Sequence, residues 1–179
     1  MHISFAEIVF SCYNKNPKKE IVMDVKIKSE EGSFKYRVAG AIVKNDKVLM
    51  VNICNNGFYC LPGGHIHLGE DSLEAIKREI NEEVGITCKT VKLIALCENF
   101  FNSKWGKMQE VCYFYLIEPN EDMQTEDYEI VENDEGELKP LKFKWCPLSE
   151  INSVDFRPQV LKNKLKNKEF HFEHFIVKE

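Results

Sequence analysis

The sequence lacks the features that are typical of secreted, membrane-spanning and nucleic-acid-binding proteins. Its seven cysteines include no Cys-x-x-Cys pair, and no apolar run approaches the ~20 residues that a membrane span requires. The formal net charge of -5 predicts no basic surface for nucleic acid or for an anionic membrane. Glu7 interrupts the apolar N-terminus and no basic stretch precedes it, so no secretory signal is expected. These absences predict a cytoplasmic protein with reduced thiols.

The composition is that of an ordinary globular domain. A chain of 179 residues that is 44 % hydrophobic and 30 % charged is long enough for one well-buried core, and it shows no internal repeat. A zinc site formed by cysteines together with His65 and His67 is an alternative, but the usual spacing of zinc ligands is missing.

The residues from Gly64 to Ile86 form the most informative stretch. Asp71 and Glu74 have the spacing of a helix-capping box, and Gly85 stands where a helix would end in a left-handed turn. These signals predict a helix over residues 72–84. At about 100° per residue, its apolar stripe is expected to consist of Leu73, Ile76, Ile80 and Val84.

Three glutamates share a neighbouring face of this helix: Glu79, Glu82 and Glu83. Their charges repel one another, and they lie near the C-terminal end, where the helix dipole is already negative. A hard divalent cation with oxygen ligands would remove this conflict. The alternative is a solvated charged face without a ligand, since such charge patterning is common on helices.

The same stretch resembles the Nudix box of the MutT-like Nudix hydrolase superfamily. Every defined position of that motif is matched, by Gly64, Glu70, Arg78, Glu79, Ile80, Glu82, Glu83, Gly85 and Ile86. The resemblance implies an α+β fold, an α/β/α sandwich with a central mixed β-sheet. It would form a domain over residues 34–179, preceded by an N-terminal extension of residues 1–33. It also implies a pyrophosphohydrolase that cleaves a phosphoanhydride bond of a nucleoside diphosphate linked to another group, such as an NTP, a dNTP or a nucleotide derivative.

The resemblance implies roles for the motif residues. Glu79, Glu82 and Glu83 are expected to bind Mg²⁺, for which Mn²⁺ can substitute, and the Gly64 carbonyl to add a ligand. One of the glutamates would assist in deprotonating water.

Three further charged residues are expected to support this site. Glu70 would contact the metal ligands rather than the metal itself. Arg78 would orient a glutamate through a salt bridge, although the Arg78 side chain is expected to point away from the carboxylate cluster. Relatives often have another metal-binding or base carboxylate after the box. Glu110 is the candidate, with Glu98 and the acidic segment 121–137 as competitors.

The substrate contacts are less well defined. Gly63 lets the backbone approach a ligand closely, and His65 lies beside it. Many family members have Glu where this chain has His67, and a neutral His can donate to phosphate or bind a softer metal. Phe101 and Trp105 are candidates to stack on a base, although aromatic residues on strands are more often core.

The sequence leaves the substrate open. The Pro, Tyr and SQPWPFPxS signatures of particular Nudix subfamilies are absent from the window that holds Phe101. Two alternatives to a nucleotide hydrolase therefore remain: a hydrolase of non-nucleotide diphosphates, and a regulatory module that binds nucleotide without turnover. The intact glutamates argue against the second alternative.

The remaining chain predicts a strand-rich domain. A hairpin of Ile21–Lys28 and Phe34–Val43 is expected, and it either covers a sheet edge or forms the contact of a homodimer. Residues 121–137 hold nine acidic residues and no basic ones, which favours a solvated loop, with a lid over the metals as the alternative. Further strands are expected at Lys47–Ile53, Thr90–Phe101, Glu110–Glu118, Leu141–Cys146 and, unless it is a helix, Phe170–Val177.

Overall fold

The computed structural model describes residues 23–103, 106–134 and 137–178. Within these ranges lie eight strands, two α-helices and one 3₁₀ helix. Their bounds are β1 Lys26–Lys28, β2 Gly32–Lys44, β3 Lys47–Ile53, α1 Ser72–Val84, β4 Cys88–Ser103, β5 Gly106–Pro119, β6 Tyr128–Asp134, β7 Glu137–Pro147, the 3₁₀ helix Leu148–Ser153, α2 Leu161–Lys166 and β8 Glu173–Lys178.

The strands form one mixed sheet with helices on both faces. The order is β6-β7-β3-β2-β5-β4-β8, and β1 pairs with β2 outside this path. β2 runs parallel to β5, and β4 runs parallel to β8. Ile76 and Ile80 of α1 pack on one face, while Ile151 of the 3₁₀ helix and Leu161 of α2 pack on the other. The predicted α+β fold, an α/β/α sandwich around a central mixed sheet, is confirmed.

β2 and β3 separate soon after their turn, and a loop fills the space between them. Only the last two residues of β2 pair with β3. Beyond this point residues 62–66 run beside β2, where the Val38 N–H donates to the Gly64 carbonyl at 3.0 Å and the Gly40 N–H donates to the Pro62 carbonyl at 2.8 Å. The two glycines that follow Pro62 are therefore held in the sheet as if they belonged to a strand.

The predicted N-terminal hairpin is present, with a first strand that is shorter than expected. β1 pairs with β2 across the predicted turn. The segment before β1 also lies along the loop, because the Val25 N–H donates to the Ile66 carbonyl and the Leu68 N–H donates to the Met23 carbonyl, both at 2.8 Å. The Val25 carbonyl still accepts from the Tyr36 N–H of β2 at 3.2 Å. Residues 1–22 lie outside the described part of the chain.

β4 and β5 form a longer hairpin than the sequence predicted. Their pairing continues to Ser103 opposite Gly106, beyond the expected strand ends at Phe101 and Glu110. Cross-strand hydrogen bonds keep these polar residues in extended conformation, and such pairing is not visible in local propensity. In consequence, Glu110 lies inside β5 rather than at its start.

The acidic segment is partly strand. Residues 128–134 form β6 and pair with β7, so a loop throughout 121–137 is a wrong expectation. Tyr128 stacks on Phe143 of β7 with ring centroids 4.6 Å apart, and this aromatic pair offsets the repulsion among neighbouring carboxylates. Residues 135–136 lie outside the described part.

Helix α1 begins and ends where the sequence predicted, but it is rotated from the predicted phase. Asp71 accepts hydrogen bonds from the N–H groups of Leu73 and Glu74, and Gly85 ends the helix in a left-handed conformation. Leu73 is 41 % exposed, so its place in the buried stripe is wrong. At 3.6 residues per turn, Leu73 lies roughly 90° from the centre of the buried face. That face consists of Ala75, Ile76, Glu79, Ile80 and Glu83.

No helix in the described ranges combines the length and the apolar character that a membrane span requires.

Candidate active site

Two glycines let the loop beside β2 touch helix α1. Gly63 has φ +141°, and a Cβ there would stand 2.3 Å from the Val38 carbonyl oxygen. Its N–H donates to Glu83 Oε2 at 2.7 Å. A Cβ on Gly64 would stand 2.5 Å from the carboxylate of Glu79. Glycine at position 63 lets the loop pack against the backbone of β2, and glycine at position 64 leaves room for the carboxylate of Glu79.

Glu79 and Glu83 are buried, with 8 % of each residue exposed. Burial, and then the charge of Glu79, raise the pKa of Glu83 from its ordinary 4.5 to about 8, although the Gly63 N–H favours the ionised form. Burial also raises the pKa of Glu79. The side chains lie four residues apart on one helix face and repel each other when both are ionised. A divalent cation between them would relieve both the repulsion and the cost of burial.

Arg78 lies among the carboxylates, so the expectation that it points away from them is wrong. Its guanidinium contacts Glu70 through two nitrogens, each 2.8 Å from a carboxylate oxygen, and contacts Glu79 at 2.8 Å. It also reaches Glu82 at 3.1 Å and donates to the His65 carbonyl at 2.9 Å. The hydrogen bond from Arg78 lowers the pKa of Glu70 more than any other cause. Arg78 thus joins the helix to the loop and holds one carboxylate of the buried pair.

Glu82 is set apart from the other two helix glutamates. Its side chain is 57 % exposed and contacts Arg78 from the solvent side. The predicted set of three glutamates is therefore a buried pair with one exposed neighbour.

Arg37 is a residue of the site that the sequence reasoning missed. From β2, it donates to the Gly63 carbonyl at 2.9 Å and lies 3.4 Å from the carboxylate of Glu110. Arg37 therefore links Glu110 to the loop that contacts Glu83. Burial alone would lower the pKa of Arg37, but the charge of Glu110 and smaller contributions from other neighbours, Glu83 among them, together raise it, so the guanidinium stays charged. A charged residue directly before the apolar run of residues 38–43 was the available signal.

The two histidines of the loop meet an acidic residue from the N-terminal segment. Asp24 lies 3.4 Å from His65 Nδ1 and 3.4 Å from His67 Nε2. Burial, and then the charge of Arg37, lower the pKa of His65 to about 3, so its imidazole is neutral. The His67 N–H donates to Glu70 at 3.0 Å. No local sequence pattern indicated Asp24, because its partners lie more than forty positions away.

Phe101 lies away from the buried carboxylates. It lines a groove of about 620 Å³ at the open end of the sheet, together with Phe34, Phe100 and Met108. None of the predicted metal-binding residues lines this groove. Trp105 lies outside the described residues.

The donor set suits a cation that keeps part of its water shell. Among residues 23–103, 106–134 and 137–178, no three His, Cys, Asp or Glu side chains form a group that would hold a metal alone. Glu79 and Glu83 offer carboxylate oxygens, and the Gly64 carbonyl uses one acceptor position on Val38, which leaves a second. Two carboxylates and a carbonyl fit Mg²⁺, which binds through few protein oxygens and retains several waters.

Fold and site together define an α/β/α protein in which a carboxylate-bearing helix packs on a diglycine loop. The NUDIX domain profile matches residues 35–167, most of the chain, and the chain belongs to the NUDIX family.

Relatives support the same assignment over shorter stretches. An ADP-ribose pyrophosphatase of Methanocaldococcus jannaschii is 40 % identical over 62 residues, which cover 33 % of this chain and 37 % of that protein. An RNA pyrophosphohydrolase of Ruthia magnifica is 36 % identical over 58 residues, which cover 31 % of this chain and 32 % of that protein. The matches thus span about a third of each relative. A solved MutT protein of Bacillus halodurans shares the fold, with a TM-score of 0.58, 21 % identity and coverage of 80 % of this chain and 90 % of that chain.

Proposed function

We propose that the protein is a metal-dependent pyrophosphohydrolase that cleaves a phosphoanhydride bond of a nucleoside diphosphate linked to another group. The observation that carries this proposal is the buried pair Glu79 and Glu83, held against Gly63 and Gly64 in a chain of the NUDIX family. The names of the relatives, an ADP-ribose pyrophosphatase and an RNA pyrophosphohydrolase, support nucleotide-derived diphosphates as the substrate class.

Mg²⁺ or Mn²⁺ would be held by Glu79, Glu83 and the Gly64 carbonyl, with Glu82 at the solvent side. When bound, the cation neutralises phosphoryl oxygens and lowers the pKa of a coordinated water.

The protein's own residues position this chemistry. Arg78 fixes Glu79 from the side of the helix, and the Gly63 N–H fixes Glu83 from the side of the loop. Arg37 holds Glu110 at the edge of the same loop. There the carboxylate of Glu110 can accept a proton from water. His65 is neutral, and its Nδ1 faces the carboxylate of Asp24, so its one N–H serves to hold the loop beside Gly64.

A substrate panel with metal control tests the proposal. We expect Mg²⁺-dependent release of phosphate or a nucleotide from at least one of ADP-ribose, dNTPs, nucleotide sugars and dinucleoside polyphosphates. EDTA should abolish the activity, and excess Mg²⁺ or Mn²⁺ should restore it.

Each other outcome of the panel has a distinct meaning. Phosphosugar diphosphates are added to the panel as non-nucleotide substrates, and turnover of these alone would assign a non-nucleotide hydrolase. Binding of nucleotide without turnover would assign a regulatory module. Full activity without metal would contradict the proposed site.

A further inference from the structure

The N-terminal segment contributes a side chain to the loop that carries the proposed site. The family match begins at residue 35, whereas Asp24 lies eleven positions before it. Asp24 pairs with His67 in an isolated antiparallel bridge, and its side chain is 23 % exposed. Its carboxylate is close to two loop histidines at once. A residue that precedes the matched range therefore contacts the loop of the proposed site.

We propose that Asp24 is a positioning residue that holds the loop from Gly64 to Glu70 in register with helix α1. This inference rests on the proposed function, because the loop and helix are positioned for metal and phosphate. Asp24 touches neither Glu79 nor Glu83 and acts through other residues.

Two routes lead from Asp24 to Arg78. In the first, Asp24 contacts His65 Nδ1 at 3.4 Å, and the His65 carbonyl accepts from Arg78 at 2.9 Å. In the second, Asp24 contacts His67 Nε2 at 3.4 Å, the His67 N–H donates to Glu70 at 3.0 Å, and Glu70 binds Arg78. Both routes converge on one guanidinium, which lies 2.8 Å from the carboxylate of Glu79. Fixing the loop at two histidines therefore fixes a proposed metal ligand.

Backbone contacts hold this segment without the carboxylate of Asp24. The backbone hydrogen bonds of Val25 and Leu68 and the pairing of β1 with β2 already hold the chain in place. Lys26 also contacts Asp24, at 3.0 Å, so a simple surface ion pair is the rival explanation. Exposed pairs of this kind contribute little to stability. Removal of each partner in turn separates the two explanations.

The experiment compares full-length wild type, Asp24→Asn, His67→Gln, the double variant and Lys26→Gln. Mn²⁺ affinity is measured by electron paramagnetic resonance without substrate, and kcat and KM are measured on a substrate that the panel identifies. We expect Asp24→Asn to lower Mn²⁺ affinity or kcat about 10-fold, with KM within about 2-fold of wild type. Lys26→Gln should behave like wild type. The double variant should be no worse than the worse single variant, since the residues share one route.

Several results would overturn the proposal. If Asp24→Asn keeps the Mn²⁺ affinity and kcat of wild type, Asp24 has no positioning role. If Lys26→Gln lowers these quantities as much as Asp24→Asn does, the surface ion pair explains the effect. Fully additive losses in the double variant would break the shared route. Mn²⁺ binding is compared at a temperature where wild type and Asp24→Asn are both folded. A large drop in melting temperature without weaker Mn²⁺ binding would make Asp24 a stabilising residue only. If wild type turned over no substrate, the proposed function would fail while the Mn²⁺ measurement still tested Asp24.

Discussion

At the scale of single residues, the site contains a carboxylate whose ionised form is destabilised by its surroundings. Glu83 is buried, lies next to Glu79 and has a pKa raised to about 8. The folded, metal-free protein therefore binds a proton at Glu83 more readily than the unfolded chain does. Proton binding at Glu83 stabilises the folded protein. This stabilisation is fully present below pH 4.5 and is lost as the pH rises through about 8. Function and stability are opposed at this position.

Glu83→Gln should relieve the conflict in the metal-free protein. The amide oxygen can still accept from the Gly63 N–H, and the charge is gone. We expect the free energy of unfolding in EDTA to be unchanged at pH 5 and higher by about 1 kcal/mol at pH 8.5, measured by urea denaturation. The same variant should lose kcat about 100-fold or more, and its thermal shift with Mg²⁺ should shrink.

The matched control for this variant is Glu118→Gln, which removes an exposed carboxylate paired with Lys89 and should change neither property. Glu83→Gln with near-normal turnover would move the chemistry to another carboxylate, of which Glu110 is the next to test. A variant that is much less stable without metal would show that Glu83 is a structural partner and that the strain argument is wrong.

At the scale of elements, helix α1 shows what local sequence does and does not encode. Its ends were predicted correctly, because Asp71 and Gly85 act on backbone groups a few residues away. Its buried face was predicted only in part, at Ile76 and Ile80. The rest escaped prediction because Glu79 and Glu83 are buried by the loop beside β2, more than ten positions distant in sequence. The long pairing of β4 with β5 escaped prediction for the same reason.

A pair of substitutions on α1 tests the corrected phase. Ile80 is fully buried, so Ile80→Asp should lower the free energy of unfolding by about 3 kcal/mol or more through an unpaired buried charge. Leu73 is exposed, and Leu73→Asp should cost about 0.5 kcal/mol or less. Urea denaturation of both variants measures the difference. Equal losses would return Leu73 to the core and restore the phase that the sequence suggested.

At the scale of the whole molecule, the site gathers residues that no local pattern joins. The box residues are contiguous and carry their own signature, so Glu70, Arg78, Glu79 and Glu83 were predicted as a group. Arg37 comes from β2, and the N-terminal segment adds a further contact to the loop. Their partners are fixed by sheet topology, which sequence periodicity does not report. The fold class was predictable, while the supporting contacts of the site were not.

The place of the diglycine segment within the sheet has a dynamic consequence. Active-site loops usually open easily, since few buried hydrogen bonds hold them. Here the Val38 and Gly40 amides close onto the Gly64 and Pro62 carbonyls inside the sheet. We expect these two amide protons to exchange with deuterium only when the whole domain unfolds, as followed by NMR. Fast exchange at Val38, with slow exchange in the rest of β2, would contradict this. A site built this way keeps its shape, so under the proposed function the movements that release product belong to segments other than the loop that holds the glutamates.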